Sequence, residues 1–187
     1  GLGDVYKRQP GAVKGWKALS ERFGFLPFKK LLEPAIDYAR NGYPVSAEIA
    51  RMWKKALNAI PNSEEFKSWY DTFTFDGKTP EPGQMICMPK LADALEKIAD
   101  TNTDALYYGE LADRIDEESK RFGGFLRKQD LEDHKVEWVN PIHVDYHGYQ
   151  VWELPPNGQG IVALMALNVL NNFQFKDRDV DLSLIHI

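Results

Sequence analysis

The chain has 187 residues, of which 43% are hydrophobic and 12% aromatic, and its formal net charge is -5 at pH 7. This composition excludes a disordered protein, and an acidic chain without a dense Lys/Arg stripe is not expected to bind nucleic acid. No run approaches the roughly 18 apolar residues that a membrane-spanning helix needs. One cysteine excludes an internal disulfide, and the apolar neighbours of Cys87 predict a buried structural thiol.

The length suits one domain or a large piece of one, and no internal repeat, low-complexity tract or domain boundary is visible. The first residue is Gly1, and the two ends do not continue the pattern of their neighbours. We therefore expect residues 1–187 to be a single partial domain, an internal segment of a longer protein, with non-native residues at 1–9 and 182–187. A natural short protein is the alternative.

Helical spacing of apolar residues dominates the first 134 residues. The predicted helices cover Ala12 to Phe23, Pro27 to Gly42, Ser46 to Pro61, Phe66 to Tyr70, Met88 through Ile98, Asp104 to Tyr108, Glu110 to Phe122 and Gln129 to His134. Pro34 should bend the second helix or split it. Ser46 and Thr103 are the predicted N-caps of two others, and residues 71–85 are predicted to form a surface loop.

Period-two alternation follows in the last third of the chain. It predicts a strand at Val136–Val139 and a hairpin of Ile142–Tyr146 with Tyr149–Leu154 around His147-Gly148. The run from Ile161 to Leu167 is apolar almost all round, so its helix should be buried on several sides. A strand, a tight turn and a buried helix are typical of a layered core, and the whole chain is predicted to be a helix-rich piece of an α/β domain.

The turn in this unit is Pro155-Pro156-Asn157-Gly158-Gln159-Gly160. Two prolines end the strand because they cannot donate ladder hydrogen bonds, and the glycines allow a tight reversal. The turn lacks the three-glycine spacing of a dinucleotide fingerprint. A purely structural turn and a ligand-facing turn both remain open.

Other candidate chemistry is weak. His134, His143 and His147 lie near acidic residues, but beside a hairpin turn, where polar side chains are expected in any case, so no metal site is predicted. No serine occupies a Gly-x-Ser-x-Gly elbow. The acidic run from Asp113 to Glu118 is interpreted as a solvated helix face. These patterns assign no catalytic residue, cofactor or metal.

The motifs taken in order resemble the large-subunit region of the γ-glutamyltransferase (γ-glutamyltranspeptidase) family. The resemblance covers Pro10 to about Phe175 and rests on PGAVKGW from Pro10, FGFLPF from Phe23, LEPAI from Leu32, ARNGYPV from Ala39, PKLA from Pro89, ALYYG from Ala105, GGFL from Gly123 with Asp130-Leu131, and Glu153 to Gly160. Each motif is weak by itself, whereas the ordered set is specific.

The resemblance implies an N-terminal nucleophile hydrolase with a four-layer αββα core, whose proenzyme cuts itself so that a threonine begins the small subunit. That threonine takes the γ-glutamyl group of a small-molecule amide as an ester and passes it to water or to an amine acceptor. The implied partner is the protein's own small subunit, and no cofactor is implied. The threonine would lie beyond Ile187 and the carboxylate-binding arginine before Pro10, so no catalytic residue is carried over. This segment alone should be inactive.

One departure from the family pattern matters. Many members have paired serines and adjacent glycines after the prolines, whereas this chain has Asn157, Gly158, Gln159 and Gly160. These four are the candidate substrate-proximal residues, and an acylase-like amidohydrolase is the alternative activity. The competing class is a non-enzymatic helical interaction module.

Overall fold

The computed structural model describes residues 10–173. Its α-helices are α1 Ala12–Phe23, α2 Phe28–Asn41, α3 Ala47–Ala59, α4 Lys67–Phe73, α5 Pro89–Asp100, α6 Asp104–Tyr107, α7 Glu110–Arg121, α8 Lys128–Asp133 and α9 Gly160–Leu170, with a 3-10 turn at Glu64–Phe66. The strands are β1 Tyr43–Pro44, β2 Met85–Ile86, β3 Ile142–Tyr146 and β4 Tyr149–Glu153. Within this range β1 pairs with β2 and β3 with β4, both antiparallel.

The chain forms two compact units, one ending at Val136 and the other beginning at Glu137. The first unit holds α1 to α8 with the β1-β2 pair, and the second holds the β3-β4 hairpin with α9. That residues 1–187 are a single partial domain stays a prediction. The ends expected to be non-native lie outside the described residues.

Three small clusters form the core of the first unit. The first joins α2 to α5 through Leu32, Ile98 and Ala99. The others are Val45, Ala50 and Ile86 around the β1-β2 pair, and Tyr107, Ala112 and Leu131 where α6, α7 and α8 meet. Because α6 and α8 are only 4 and 6 residues long, this third cluster depends on tertiary packing more than on helix propensity.

Local signals placed several boundaries correctly. The Ser46 hydroxyl accepts a hydrogen bond from the Ile49 N–H (3.3 Å), which confirms the predicted cap of α3. At the end of α1, an added Cβ on Gly24 would lie 2.5 Å from the Ser20 carbonyl oxygen. The helix therefore ends at a residue that must lack a side chain.

Pro34 lies inside α2, which runs unbroken from Phe28 to Asn41. The prediction that Pro34 splits this helix in two is therefore wrong. Proline removes the hydrogen bond to the Lys30 carbonyl, but Lys30 is exposed and water can reach that oxygen. Packing of Leu32 and Ala39, both buried, keeps the helix continuous.

Thr103 is the N-cap residue of α6, as predicted, but its side chain does not cap the helix. Thr103 has φ +84° and makes no capping bond, and its N–H instead donates to the Ile98 carbonyl (2.8 Å) at the end of α5. The Thr101 hydroxyl accepts from the Ala105 N–H (2.9 Å) in its place. Because α5 ends at Asp100 and α6 begins at Asp104, the N–H of Thr103 binds the end of the first helix, and its side chain does not cap the start of the second.

Cys87 is exposed, contrary to the prediction of a buried thiol. It directly follows β2, where successive side chains point to opposite sides. Ile86 is 1% exposed and points into the core, so Cys87 points outward. An apolar neighbourhood in sequence did not reveal which side the residue takes.

Two expectations for the second unit also fail. Val136–Val139 is not a strand, and no strand pairs with it within residues 10–173. The helix α9 is buried on one side rather than several, since Leu164 is its one buried residue. None of the helices in the described range is long and apolar enough to cross a membrane.

Candidate functional site

The candidate turn lies between β4 and α9. The register pairs His143 with Trp152 and Val144 with Val151, and because partners across a ladder share a face, the hairpin has two distinct surfaces. The more covered face includes Val144, Val151 and Glu153, and α9 packs against both strands. The turn thus connects the C-terminal end of a covered strand to the start of the helix that covers it.

The turn carries two amide side chains, those of Asn157 and Gln159. Asn157 and Gln159 are exposed, and neither side chain makes a hydrogen bond to another residue of the described range. The Gln159 carbonyl accepts from the Val162 N–H (2.9 Å), which starts α9. The backbone of the turn is therefore fixed while two amide side chains remain available to a ligand.

The close approach of α9 to β4 requires glycine at position 160. A Cβ added there would lie 2.7 Å from the Cβ of Glu153 and 2.5 Å from its Oε2. Contacts below 3.0 Å force a shift, and here one of the two atoms is fixed to the backbone of β4. The glycine therefore allows the first turn of α9 to lie directly on the last residue of the strand.

Glu153 adds a negative charge to the site that sequence reasoning did not assign. Its carboxylate is partly buried and has no ion-pair or hydrogen-bond partner among residues 10–173. It lies beside the N-terminus of an 11-residue helix, where the helix dipole favours an anion. The sequence signal that could have revealed this carboxylate is the alternation along β4. It places Glu153 on the covered face with Val151, where a carboxylate is unusual.

The histidines do not converge on one site. The ring of His143 stacks on Trp152 with centroids 4.1 Å apart, on the outer face of the hairpin. His147 forms the hairpin turn at φ +46°, and His134 belongs to the first unit. No group of three or more His, Cys, Asp or Glu within residues 10–173 could hold a metal ion.

A second polar cluster surrounds Lys14 in the first unit. Its ammonium donates to the His134 carbonyl oxygen (2.6 Å) and lies 4.3 Å from the ring centroid of Tyr107. The Tyr107 hydroxyl donates to the Pro10 carbonyl (2.7 Å) and accepts from the Lys14 N–H (2.9 Å). Burial raises the pKa of Tyr107. The polar groups of the Lys14 cluster bind one another, so the cluster holds α1 against α6 and the segment after α8.

Two residues of the acidic run on α7, Asp113 and Asp116, form ion pairs with lysines. Asp113 accepts from the Lys128 ammonium (2.7 Å), and Asp116 pairs with Lys120. The hydrogen bond from Lys120 lowers the pKa of Asp116, against a smaller opposing effect of desolvation. Asp113 is exposed, as predicted for a solvated helix face. The Asp116 side chain is only 15% exposed and its Oδ1 is buried without a hydrogen-bond partner in the described range, so the prediction is wrong for Asp116.

Comparison with known proteins identifies the family of this chain. A model of the gamma-glutamyltranspeptidase family matches residues 9–186. The Glutathione hydrolase-like YwrD proenzyme of Bacillus subtilis (strain 168) is 39% identical over 166 residues, which are 89% of this chain and 31% of that protein. The Glutathione hydrolase proenzyme of Escherichia coli (strain K12) is 34% identical over 169 residues, 89% of this chain and 29% of that protein.

A solved structure gives the same answer for the fold. The crystal structure of cephalosporin acylase from Bacillus halodurans matches with a TM-score of 0.85 and 43% identity, over 91% of this chain and 32% of that one. The predicted mixed α/β class is confirmed. The chain spans about a third of the length of the relatives it matches, and it belongs to the gamma-glutamyltranspeptidase family.

Proposed function

We propose that this chain is part of an enzyme that hydrolyses γ-glutamyl amides of the glutathione type or transfers their γ-glutamyl group. The observation that carries the proposal is the match of residues 9–186 to the gamma-glutamyltranspeptidase family, together with relatives named glutathione hydrolase proenzymes. The chain spans about 29–31% of those two relatives, so the activity belongs to the longer polypeptide.

The proposed chemistry is acyl transfer through an N-terminal threonine outside residues 1–187. Its hydroxyl attacks the γ-amide carbonyl, and its own α-amine, with an ordinary pKa of about 8, accepts the proton near neutral pH. The amine on the other side of the scissile amide bond takes up this proton and leaves, and a γ-glutamyl ester of the threonine remains. Water or an amine acceptor then attacks this ester and frees the threonine. Backbone N–H groups stabilise the oxyanion in both steps.

The proposed partner of this chain is the small subunit released by self-cleavage of the same proenzyme. Two of the relatives are themselves named proenzymes, which supports this processing. In this arrangement residues 10–173 supply scaffold, and the nucleophile comes from the other product of the cut.

Within the scaffold we propose that Asn157, Gly158, Gln159 and Gly160 line the substrate site. Two facts support this role. The amide side chains of Asn157 and Gln159 are exposed and make no hydrogen bond in the described range. The turn also joins a covered strand to a helix whose first residue lies against Glu153, so its backbone is held where the two amides can contact a ligand.

An acylase-like amidohydrolase is the second candidate. The observation favouring it is the 43% identity and TM-score of 0.85 to a cephalosporin acylase, against 34% identity to the E. coli glutathione hydrolase. The two candidates share the nucleophile and differ in the acyl group. The α-amino group of the substrate is the chemical feature that separates them.

The first experiment is expression of the full-length protein, with intact mass measurement and sequencing of the N-terminus of any second chain. Two chains, one beginning with threonine, are expected. A single uncut chain without a downstream threonine would overturn the enzyme proposal and favour the non-enzymatic interaction module.

A second experiment compares two anilide substrates on the processed protein. γ-Glutamyl anilide and glutaryl anilide differ only in the α-amino group. Faster release of the aniline from the γ-glutamyl compound supports the γ-glutamyl enzyme, whereas equal or faster release from the glutaryl compound supports the acylase.

The third experiment tests the turn by replacing Asn157 and Gln159 together with alanine in the full-length protein. If these amides contact substrate, kcat/KM should fall about tenfold or more while self-cleavage and thermal stability are unchanged. Asn168→Ala is the matched control, because Asn168 is an exposed amide two turns further along α9. Unchanged kinetics in the double variant would remove the turn from the site.

A further inference from the structure

The charges around the candidate turn are unbalanced. Between Glu137 and Phe173 the chain contains three carboxylates and two histidines but no lysine or arginine. Glu137 and Asp145 are exposed, so water solvates them. Glu153 is only partly exposed and has no ion-pair or hydrogen-bond partner among residues 10–173. Because a carboxylate that is partly removed from water needs a donor or a cation, the described part of the chain leaves this one without its partner.

The position of Glu153 brings its carboxylate to the end of the turn. An added Cβ on Gly160 would lie 2.5 Å from the Glu153 Oε2 and 2.9 Å from its Cδ. Gly160 directly follows Gln159 and begins α9, whose first turn contains no acidic residue. The carboxylate thus lies at the edge of the covered face, where the helix begins and the residue is still partly exposed.

The turn and the carboxylate offer complementary polar groups. The amides of Asn157 and Gln159 carry N–H donors, whereas an ionised carboxylate only accepts. An ammonium group is the strongest donor to a carboxylate, and amide N–H groups in turn form charge-assisted bonds to a carboxylate of a ligand. The head group of an α-amino acid carries both charges on one carbon atom. It is therefore the class of ligand whose charges match the groups that remain unbonded at this turn.

We propose that the Glu153 carboxylate binds the α-ammonium group of the substrate and is the residue that distinguishes a γ-glutamyl amide from a glutaryl amide. The inference rests on the proposed function, because it assigns one group of the proposed substrate to a side chain at the proposed site. A glutaryl group lacks the ammonium and would leave the carboxylate unpaired in the complex. A site built to bond a donor of the substrate discriminates strongly against the analogue without it.

The test measures a ratio of two rates in the full-length protein, kcat/KM for γ-glutamyl anilide divided by kcat/KM for glutaryl anilide. Glu153→Gln removes the charge with little change of shape. It should lower the ratio about tenfold or more, because only the γ-glutamyl substrate loses a charge-assisted bond. The ratio does not depend on how much of the enzyme is folded, so a loss of yield leaves it interpretable.

Asp145→Asn is the matched control. It makes the same change of charge in the same hairpin, at an exposed position that pairs with Gln150 across the ladder. The control should leave the ratio unchanged.

The outcomes separate the inference from the proposed function. An unchanged ratio in Glu153→Gln, or the same change in Asp145→Asn, would overturn the inference while the γ-glutamyl activity stands. An unchanged ratio together with lower thermal stability would assign Glu153 to a structural ion pair within the longer polypeptide. A wild-type protein that does not prefer the γ-glutamyl anilide would contradict the γ-glutamyl enzyme, and the inference with it.

Binding gives a second readout that needs no turnover. L-Glutamate and glutarate differ by the same α-amino group. In calorimetric titrations of the full-length protein, Glu153→Gln should weaken the binding of L-glutamate about tenfold or more and should not weaken that of glutarate. Equal affinities of the wild type and the variant for L-glutamate, or no binding of L-glutamate to the wild type, would overturn the inference. This readout decides the role of Glu153 in a protein that hydrolyses neither anilide.

Discussion

Gly160 and Glu153 show how one missing side chain determines the approach of a helix to a strand. The distances of 2.5 and 2.7 Å from an added Cβ to the Glu153 side chain leave no room for alanine. The constraint concerns contact across the β4-α9 connection. Gly160 has ordinary helical geometry as the first residue of α9, so its need for glycine cannot be recognised from a turn pattern alone.

We expect Gly160→Ala to lower the free energy of unfolding of the full-length protein by about 1–3 kcal/mol through overpacking. Chemical denaturation would measure the change. The double variant Gly160→Ala, Glu153→Ala should recover part of the loss relative to Glu153→Ala, since the truncated side chain lacks the carboxylate that causes the closest contact. Identical losses in both backgrounds would contradict the proposed clash with the carboxylate.

Tyr107 provides the second prediction at this scale. Its hydroxyl satisfies the Pro10 carbonyl and the Lys14 N–H, so Tyr107→Phe leaves both without that partner and should cost about 1–3 kcal/mol of the free energy of unfolding. Tyr108→Phe is the matched control, because the Tyr108 hydroxyl accepts a longer bond (3.3 Å) from Lys14 Nζ and the residue is about half exposed. A similar loss in the two variants would refute the argument.

The same tyrosine predicts a dependence on alkaline pH. Burial raises the pKa of Tyr107 in the folded protein, so the neutral phenol is favoured by folding. Its contribution is complete below the unfolded pKa of about 10 and is lost as pH rises through the higher folded value. We expect the difference in stability between the wild type and Tyr107→Phe to shrink above pH 10, as followed by urea unfolding at stepped pH. A constant difference would contradict this sign.

At the scale of elements, short helices depend on their ends. The Ser46 hydroxyl accepts from the Ile49 N–H at the start of α3, whereas Ser63, in the equivalent position before the 3-10 turn, makes no such bond. Ser46→Ala should therefore lower the free energy of unfolding by about 0.5–2 kcal/mol, and Ser63→Ala should change it little. Denaturant titration of the two variants would check this, and a reversed order would disprove it.

The sequence patterns predicted the bounds of helices and strands better than they predicted which side chains are buried. The bounds of α1 and the hairpin turn at His147-Gly148 follow from local signals that the backbone obeys directly. The Thr103 side chain does not cap α6 because the end of α5 takes the Thr103 N–H. Pro34 does not split α2 because tertiary packing, which a local pattern does not contain, keeps the helix continuous. The same holds for Glu153, whose approach to Gly160 depends on how α9 lies on β4.

The candidate site was predictable only through the ordered family motifs. Nothing in the turn from Asn157 to Gly160 distinguishes a structural loop from a ligand-binding one by composition alone. The structure adds that the two amides make no hydrogen bond within residues 10–173 and that the Glu153 side chain lies against Gly160. The nucleophile could not be found by any reading of these residues, since the proposal places it elsewhere in the polypeptide.

At the scale of the whole molecule, large apolar side chains remain exposed over the described range. Phe25 and Phe125 are almost fully exposed, and Tyr149 is 77% exposed. We expect the 187-residue chain expressed alone to bind the dye ANS and to self-associate, because large exposed apolar side chains favour both. The full-length protein should show neither to a comparable extent. Dye fluorescence and light scattering would measure the contrast, and a monomeric 187-residue chain that does not bind the dye would contradict it.

The Lys14 cluster has a consequence for biosynthesis. Lys14 contacts residues 93 to 120 positions further along the chain. On the ribosome α1 emerges before α2 to α8, but the groups that hold the Lys14 ammonium are not complete until His134 has been made. Until then α1 is a 12-residue helix without these long-range bonds, a length that is marginal by itself in water. The start of this unit is therefore expected to acquire its final anchorage last, when the nascent chain has delivered α8 and the carbonyl that follows it.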